Sequence, residues 1–236
     1  MSQFLIRVFD VILVTLGLAF LFPFLIIISL ILKLTGEGEI FYKQTRIGMN
    51  GKPFSIYKFA TMVKDSPVIG SGELTEYNDP RVLPVGKFLR KSKLNELPQL
   101  FNVFTGDMSL IGPRPQTLRY FNLFSHKSRE LISQVRPGVT GIGSLLFRDE
   151  EEIFRKSEDA ILLDDTVITP YKGELEEWYS LNQSFYLYLK ILFLTIVTVV
   201  FPRYIQPENY FDGLPEMPSE LSKIINTKKT CYKGIK

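Results

Sequence analysis

Long apolar stretches lie near both ends of the chain, and a mixed apolar and polar pattern fills its middle. Residues 11–32 run for 22 positions without a charged side chain. A straight helix of that length reaches about 33 Å, which is enough to cross the hydrocarbon core of a bilayer. The pattern therefore predicts a membrane helix within residues 1–36.

Pro23 lies near the middle of this stretch. An interior proline removes a backbone donor and clashes with the preceding turn, although membrane helices tolerate it. One interpretation is a kinked helix that crosses the bilayer. The other is a re-entrant hairpin, broken at Pro23, with both ends in the cytosol. Basic residues flank the stretch on both sides, Arg7 before it and Lys33 after it, as such a hairpin requires. The pattern alone leaves both interpretations open.

A second apolar stretch covers residues 191–201, only 11 positions, and is too short to span a bilayer. It predicts either a buried core helix or an amphipathic helix in the membrane interface. The tail, residues 207–236, is rich in proline, lysine and polar side chains, and we expect it to be loosely held.

The central part, residues 37–206, has the pattern of a small globular domain. Alternating apolar residues predict strands over 39–43 and 53–59, and Asn50-Gly51 between them predicts a tight turn. Helical spacing predicts helices over 94–103 and 129–134. We expect loops over 70–79 and 145–172.

Composition narrows the classes of function. Charged residues make up 22% and apolar residues 45% of the chain, which excludes general disorder. One cysteine, Cys231, and one histidine, His126, exclude an internal disulfide and a histidine-rich metal site. These features suit a reducing, cytosol-facing compartment.

Basic residues outnumber acidic ones by 10 to 5 in 40–100, and acidic residues outnumber basic ones by 11 to 4 in 144–182. The basic residues form no run interleaved with aromatics, so we expect no nucleic-acid partner.

Three clusters carry candidate chemistry. Residues 89–100 place Arg90 and two lysines just before a single carboxylate, Glu96. In the other two clusters an arginine lies beside rigid backbone: Arg114 stands between two prolines, and Arg136 precedes Pro-Gly. Guanidinium groups bind phosphate oxygens in a bidentate manner, and a carboxylate beside them suits a metal ion or a proton transfer. An amphipathic helix with ion pairs and two structural turns would explain each cluster taken alone. Together, behind a membrane helix, they favour phosphate chemistry.

The same residues resemble a known family. The string LNELPQLFNVFTGDMSLIGPRP, followed by RPGVTG, is similar to the bacterial sugar transferases, which are monotopic phosphoglycosyl transferases. FYKQTRIG at 41–48 and YKF at 57–59 also resemble this family. The resemblance covers roughly residues 5–200.

The resemblance implies a fold and an activity. It implies an α/β, mainly helical, globular domain with a re-entrant membrane helix broken at Pro23 and interfacial amphipathic helices. Such enzymes use Mg²⁺ to transfer a sugar-1-phosphate from a UDP-sugar to undecaprenyl phosphate and release UMP, which starts a surface glycan. It also implies contact with membrane lipid and a location on the cytosolic face of the bacterial inner membrane. A homodimer is one possible assembly.

The chain departs from the family pattern at the centre of the site. The family has an Asp-Glu pair whose aspartate forms a phosphosugar intermediate, and this chain has Asn95-Glu96. A neutral amide is a far poorer nucleophile than a carboxylate. Phe22 replaces a frequent serine before Pro23, and Ala60 replaces a frequent arginine. Residues 143–151, with the acidic group Asp149-Glu150-Glu151, replace a Gln-Val-x-Gly-Arg string.

Three hypotheses follow for the site. In the first, the lipid phosphate attacks the UDP-sugar directly. In the second, Asp149, Glu150 or Glu151 is the nucleophile. In the third, the protein is catalytically silent and binds a sugar nucleotide or a partner. In the first, Glu96 holds Mg²⁺ or takes a proton, and Asn95 orients a phosphate oxygen or a metal-bound water. The residues expected to bind the substrate phosphates are Arg90, Arg114, Arg136 and Lys58.

Overall fold

The computed structural model of the chain describes residues 2–69, 79–148, 150–155, 157, 159–201 and 206–224. Its strands are β1 (Phe41–Ile47), β2 (Pro53–Phe59), β3 (Ser109–Ile111) and β4 (Gly138–Thr140). Its helices are α1 (Ser2–Thr35), α2 (Pro84–Lys91), α3 (Gln99–Thr105), α4 (Leu118–Leu123), α5 (His126–Ser133), α6 (Ile142–Leu146), α7 (Glu150–Phe154), α8 (Ala160–Leu163), α9 (Thr169–Leu181) and α10 (Phe185–Val200). The fold is mainly helical with two small sheets.

The helix α1 packs on the domain along one stripe. Its buried residues are Ile6, Asp10, Val14, Leu25 and Leu32, and spacings of 4, 7 and 11 keep a helical residue on one face. The helix continues through Pro23, so the break expected there is wrong, and both halves of α1, before and after Pro23, contact the same folded domain. The rest of the helix is apolar and exposed, and by length and composition α1 could cross a membrane.

The two strand pairs are local and short. The strands β1 and β2 form an antiparallel hairpin in which Phe41 is opposite Phe59. Asn50 and Gly51 have positive φ angles at its turn, as the sequence predicts. The first strand begins two residues later than predicted and continues to Ile47. The other pair, β3 and β4, is parallel.

The main core lies between α1, β3, α6, α9 and α10. Ile111, Leu175, Tyr179, Tyr188 and Ile191 are fully buried there. Two smaller apolar clusters lie under α1 and contact β2, one with α3 and the other with α2. These three clusters hold the sheets, α3 and α9 together. Glu96 lies in the turn directly before α3.

Several expectations about elements are wrong in detail. The predicted helix over 94–103 is divided at Pro98 into one 3₁₀ turn, Leu94–Glu96, and α3, because proline has no N–H to continue a helix. The helix expected over 129–134 begins earlier, at His126, where Ser125 caps it by accepting a hydrogen bond from the Ser128 N–H. The expected loop over 145–172 contains α7 and α8. Most of the expected loop over 70–79 lies outside the described residues.

The second apolar stretch belongs to α10. One face of α10 is buried in the core, and its other face is apolar and exposed, with Phe193, Ile196 and Val199 more than half exposed. Beyond α10, Phe211 and Leu221 are buried against the main core. The part of the tail that the structure describes, 206–224, is therefore packed on the domain rather than loosely held, while residues 225–236 lie outside the described residues.

Candidate functional site

A triad of charged side chains lies at the centre of the candidate site. Lys58 Nζ is 3.1 Å from Glu96 Oε1, and Arg114 Nη2 is 2.6 Å from the same oxygen. Arg114 Nη1 also donates to Glu96 Oε2 at 3.4 Å, so the guanidinium grips both oxygens. The three residues come from three separate segments of the chain. Two cations around one carboxylate leave a net positive charge, which suits a phosphate ligand.

Asn102 holds two of these segments in register. Its Oδ1 accepts the Tyr57 N–H at 3.0 Å, and its Nδ2 donates to the Ser55 carbonyl at 2.8 Å. This fully buried amide therefore pairs with the edge of β2 that β1 does not cover. It places Lys58, in β2, opposite Glu96 in the turn before α3. Sequence reasoning missed Asn102, because its only signal is an amide among the apolar residues of a short helix.

Close backbone contact joins the two arginine-proline segments. Gly112 N donates to Thr140 O at 3.0 Å, and Gly138 N donates to Pro113 O at 2.9 Å. A Cβ on Gly138 would lie 2.1 Å from the Gly112 nitrogen, so only glycine fits this crossing. The crossing fixes the Gly-Pro-Arg turn after β3. Arg114 then points back along β4, where Nη1 donates to Val139 O at 3.3 Å.

Glu176 supports Arg114 from behind. Its Oε1 accepts the Arg114 backbone N–H at 3.3 Å, and its Oε2 is buried without a hydrogen-bond partner among the described residues. Burial raises the pKa of this carboxyl to about 7, although Arg114 opposes the shift. Sequence reasoning counted Glu176 only within an acidic stretch. The sequence feature that could have identified it is a carboxylate beside the apolar stripe of Tyr171, Leu175 and Tyr179, which are buried residues of α9.

The triad is electrostatically coupled. Burial alone would raise the pKa of Glu96, but Arg114 and Lys58 outweigh it and hold that pKa well below its usual value. Glu96 in turn raises the pKa of Arg114. Burial lowers the pKa of Lys58 to about 8, and Arg114 adds to this effect while Glu96 opposes it. At neutral pH Glu96 is ionised, and most Lys58 side chains are protonated.

Asn95 lies next to Glu96 in the 3₁₀ turn. The preceding Lys93 has a φ of 59°, which turns the chain sharply at the end of α2. The Asn95 side chain is buried, and its Oδ1 has no hydrogen-bond partner among the described residues. A buried amide oxygen without a partner is costly, and a ligand, an ion or water at this point would satisfy it.

The other two predicted arginines belong to segments that adjoin those carrying the triad: α2 contacts the 94–96 turn, and the backbone of Arg136 lies beside Gly112. Arg90 is half-buried in the last turn of α2. Arg136 directly precedes the backbone crossing at Gly138. Its half-buried side chain makes no hydrogen bond or ion pair with any described residue. It is therefore available to a ligand without first breaking a contact in the described part of the chain.

The structure describes only part of the acidic string Asp149-Glu150-Glu151. Glu150 forms an ion pair with Lys172 and lies within electrostatic range of Arg114. Asp149 lies outside the described residues, and the side chain of Glu151 is not described. The residues that the structure describes contain no group of three or more His, Cys, Asp or Glu side chains arranged for a metal ion. The carboxylate of Glu96 and the unpartnered Oδ1 of its sequence neighbour Asn95 are oxygens of the kind that Mg²⁺ binds.

Comparisons with known proteins point to one family. A family model described as bacterial sugar transferase matches residues 1–202. The UDP-glucose:undecaprenyl-phosphate glucose-1-phosphate transferase of Escherichia coli (strain K12) is 36% identical over 204 residues, which cover 83% of this chain and 40% of that protein.

Two further relatives differ in length. The UDP-N-acetylgalactosamine-undecaprenyl-phosphate N-acetylgalactosaminephosphotransferase of Aeromonas hydrophila is 33% identical, with 84% of this chain and 44% of that protein covered. The uncharacterized sugar transferase EpsL of Bacillus subtilis (strain 168) is 36% identical, with 76% of this chain and 79% of that protein covered. This chain therefore spans less than half the length of the first two relatives and most of the third.

Proposed function

Because the chain belongs to the bacterial sugar transferase family, we propose that it transfers a sugar-1-phosphate from a UDP-sugar to undecaprenyl phosphate and releases UMP. The observation that carries this proposal is the Lys58–Glu96–Arg114 triad. It gathers cationic groups beside a membrane helix, where a soluble sugar nucleotide and a lipid phosphate can meet. Two of the relatives bear names that state this reaction for glucose and for N-acetylgalactosamine.

The triad would act mainly through positioning and charge. Phosphoryl transfer depends on in-line geometry and on neutralising the equatorial oxygens, so cations held in place can lower the barrier. Arg114 is fixed through its backbone by Glu176 and through its side chain by Glu96. Lys58 is fixed by β2. Arg136 and Arg90 would add phosphate contacts from the rim.

Direct transfer fits these side chains best. An oxygen of the lipid phosphate attacks the β-phosphorus of the UDP-sugar. The bond from that phosphorus to the bridging oxygen breaks, and UMP leaves with the electron pair. Asn95 supplies no nucleophile, and Glu96 is already paired with two cations. Glu150 is paired with Lys172, so a covalent intermediate on the acidic string would first require that ion pair to open.

Mg²⁺ is part of this proposal. It usually binds through one or two protein oxygens, with substrate phosphates and water completing the shell. Glu96 and the unpartnered Oδ1 of Asn95 fit that role. When bound, the ion would neutralise charge on the diphosphate of the donor. Arg114 and Lys58 would then turn part of their hydrogen bonding from Glu96 to the phosphates.

The proposed location is the cytosolic face of the inner membrane. Both halves of α1 contact the same domain, through Arg7 and Asp10 before Pro23 and through Leu25 and Leu32 after it. A straight helix across the bilayer would carry one half roughly 30 Å away from a cytosolic domain. The contacts therefore support the re-entrant arrangement, in which Pro23 lies at the deepest point. A homodimer stays a prediction.

UMP release by the purified full chain in nanodiscs tests the reaction. We would use a panel of UDP-sugars with Mg²⁺, with and without undecaprenyl phosphate. Direct transfer predicts multiple turnovers only when the lipid is present. A stoichiometric burst without lipid would instead indicate a nucleophile in the acidic string. No release with any donor would favour the catalytically silent protein.

Two substitutions test the residues. Glu96→Gln should lower turnover by at least about 100-fold while the protein still folds, because the charge that orders Lys58 and Arg114 is lost. Asn95→Asp restores the family's pair, and we expect a covalent phosphosugar adduct in that variant, visible by intact-protein mass spectrometry and lacking in the parent. An adduct on the parent would contradict direct transfer. Full activity of Glu96→Gln would show that the site is misplaced.

A further inference from the structure

The chain beyond α10 packs back on the domain. Pro207, Phe211 and Leu221 are buried there, and Phe211 and Leu221 belong to the main core. The family model ends at residue 202, so these contacts come from residues that the family match does not include. Residues 206–222 are called the C-terminal segment below.

The C-terminal segment is joined to α9 at two points. The Phe211 ring meets the Trp178 ring edge-on, with 5.9 Å between the ring centres. The Tyr171 hydroxyl donates to Pro215 O at 3.1 Å. Tyr171 and Trp178 are seven residues apart, about two helical turns, so they lie on the same face of α9. The C-terminal segment therefore covers one face of α9 over two turns.

The same segment also contacts the helices on either side of α9 in the chain. Its first turn, Pro207–Tyr210, contacts α6. The Lys190 ammonium of α10 lies 5.3 Å from the centre of the Phe211 ring, which is a cation–π distance. Phe211 thus joins the C-terminal segment to two core helices, α9 and α10.

The opposite face of α9 carries Glu176. At 100° per residue, Glu176 lies about 140° from Tyr171 and about 160° from Trp178 around the helix axis. Its carboxyl accepts the Arg114 N–H at 3.3 Å and is also hydrogen-bonded to the backbone of Gly143 in α6. A Cβ on Gly143 would lie 2.7 Å from Glu176 Oε1, so α6 packs directly on this carboxyl. The C-terminal segment and the Arg114 turn therefore contact α9 from opposite sides.

The position of Glu176 has an energetic cost. Its side chain is buried, and Oε2 has no hydrogen-bond partner among the described residues. Burial of an incompletely paired carboxyl is unfavourable. Other contacts of α9 must offset this cost, and the apolar contacts of Phe211 and Leu221 contribute to that.

We propose that the C-terminal segment is a positioning element for the transfer reaction. It holds α9 against the Arg114 turn, so that Glu176 keeps Arg114 aligned, and Phe211 is its central positioning residue. The effect on turnover rests on the proposed function, whereas the effect on the Arg114 turn does not. The segment adds to the site a support that lies outside the family match.

Hydrogen exchange tests the positioning without needing turnover. Amide exchange would be compared in nanodiscs for the full chain, for Phe211→Ala and for the control Tyr210→Ala, whose side chain is 48% exposed. We expect Phe211→Ala to speed exchange at least about tenfold in the peptides that contain Arg114 and Gly143, and to leave the β1–β2 hairpin unchanged. Tyr210→Ala should match the parent. Phe211→Leu is the milder variant if Phe211→Ala fails to fold.

Two results of this exchange experiment would overturn the proposal. One is faster exchange confined to the C-terminal segment. The other is an equal increase in the hairpin, which would show that Phe211 contributes only to global stability.

A double-mutant cycle tests the route through Glu176. At a temperature well below the melting point of every variant, Phe211→Ala should lower kcat at least about fivefold and change KM for the UDP-sugar less than about twofold, because Arg114 is less well aligned. In a Glu176→Ala background, the same substitution should change kcat less than about twofold, because the contact it acts through is already lost. An equal loss of kcat in both backgrounds would exclude this route.

The two proposals fail in different ways. Turnover by the parent, with unchanged exchange around Arg114 in Phe211→Ala, counts against the positioning role alone. Faster exchange around Arg114 without UMP release from any donor counts against the transfer reaction and supports the positioning role.

Discussion

At the scale of single residues, the site depends on side chains whose charge is set by their neighbours. Lys58 is mostly buried, and burial lowers its pKa to about 8 against the opposing effect of Glu96. Deprotonation above that pH removes one of the two cations that would attract the phosphates. A group with this pKa makes substrate binding depend on pH close to the physiological range.

We expect kcat/KM for the UDP-sugar to fall as the pH rises through about 8, because kcat/KM reports the ionisation of the free enzyme. Lys58→Arg should move this fall upward by more than about one pH unit, since a guanidinium stays protonated. Rates would be measured between about pH 6.5 and about pH 9.5. Lys52→Arg, on an exposed residue, is the control and should match the parent. A fall at the same pH in Lys58→Arg would assign the ionisation to another group.

Glu176 links pH to stability in the opposite way from an ion-paired carboxylate such as Glu96. Its pKa is about 7 in the fold and 4.5 in the unfolded chain, because burial disfavours its charged form. The folded state therefore binds more protons between these values, and the free energy of unfolding falls as the pH rises from about 4.5 to about 7. The full penalty, roughly 3 kcal/mol, is present above pH 7. Glu96 changes the free energy of unfolding only at lower pH. Its pKa is lowered in the fold, so stability is lost as its carboxylate becomes protonated.

Glu176→Gln should abolish this fall in stability, because an amide keeps an acceptor for the Arg114 N–H without a charge. Denaturant unfolding near pH 5 and near pH 7.5 would measure it, with the parent losing up to roughly 3 kcal/mol more than the variant. Glu174→Gln, an exposed neighbour on α9, should behave as the parent. The same pH dependence in the Glu176→Gln protein would place the buried ionisation elsewhere.

At the scale of elements, the hairpin of β1 and β2 is joined to α3 by one buried amide. Asn102 makes two hydrogen bonds to the free edge of β2, at Tyr57 N and Ser55 O. Each group left unpaired in a buried position costs about 1–3 kcal/mol. Because Lys58 lies on β2 and Glu96 lies in the 3₁₀ turn just before α3, this contact helps to set the distance between them.

Asn102→Ala should lower the free energy of unfolding by about 2–4 kcal/mol, since two buried backbone groups lose their partner. It should also lower turnover, because Lys58 and Glu96 are no longer held in register. Thermal unfolding and UMP release would be measured on the same samples. The control, Asn122→Ala, removes an exposed contact with Arg129 and should cost well under about 1 kcal/mol. Unchanged stability in Asn102→Ala would exclude this role.

At the scale of the whole molecule, apolar surface is concentrated on two helices. The uncovered face of α1 and that of α10 are both apolar, although one face of each helix is packed on the domain. Contiguous exposed apolar surface on this scale indicates contact with a membrane. Because both halves of α1 contact the same domain, we expect its two ends to lie on the same side of the bilayer.

Cysteine labelling tests that topology. In a Cys231→Ser background, Ser2→Cys and Thr35→Cys would be exposed in intact cells to a maleimide that does not cross membranes. We expect both positions to be protected until the inner membrane is opened, and then both to react. Labelling of Ser2→Cys from outside, with Thr35→Cys protected, would exclude the re-entrant arrangement.

Local patterns were sufficient for several parts of this fold. Asn50-Gly51 determined the hairpin turn, because few residues adopt positive φ at low cost. The uncharged stretch determined a long apolar helix. The strings around Glu96, Arg114 and Arg136 indicated phosphate chemistry, and they led to the family. These are properties of short segments, in which backbone preference and side-chain polarity act without the rest of the chain.

The tertiary structure decided which of these residues meet. Glu96 pairs with Lys58 and Arg114 from two other segments, while Glu150 pairs with Lys172. The amide of Asn102 and the carboxyl of Glu176 gained their roles only by burial, beside a strand edge and behind Arg114. Burial and proximity across long sequence separations determine charge state and orientation, and neither can be read from a local pattern. For this reason the sequence alone indicated phosphate chemistry, whereas the arrangement proposed to perform it depended on the fold.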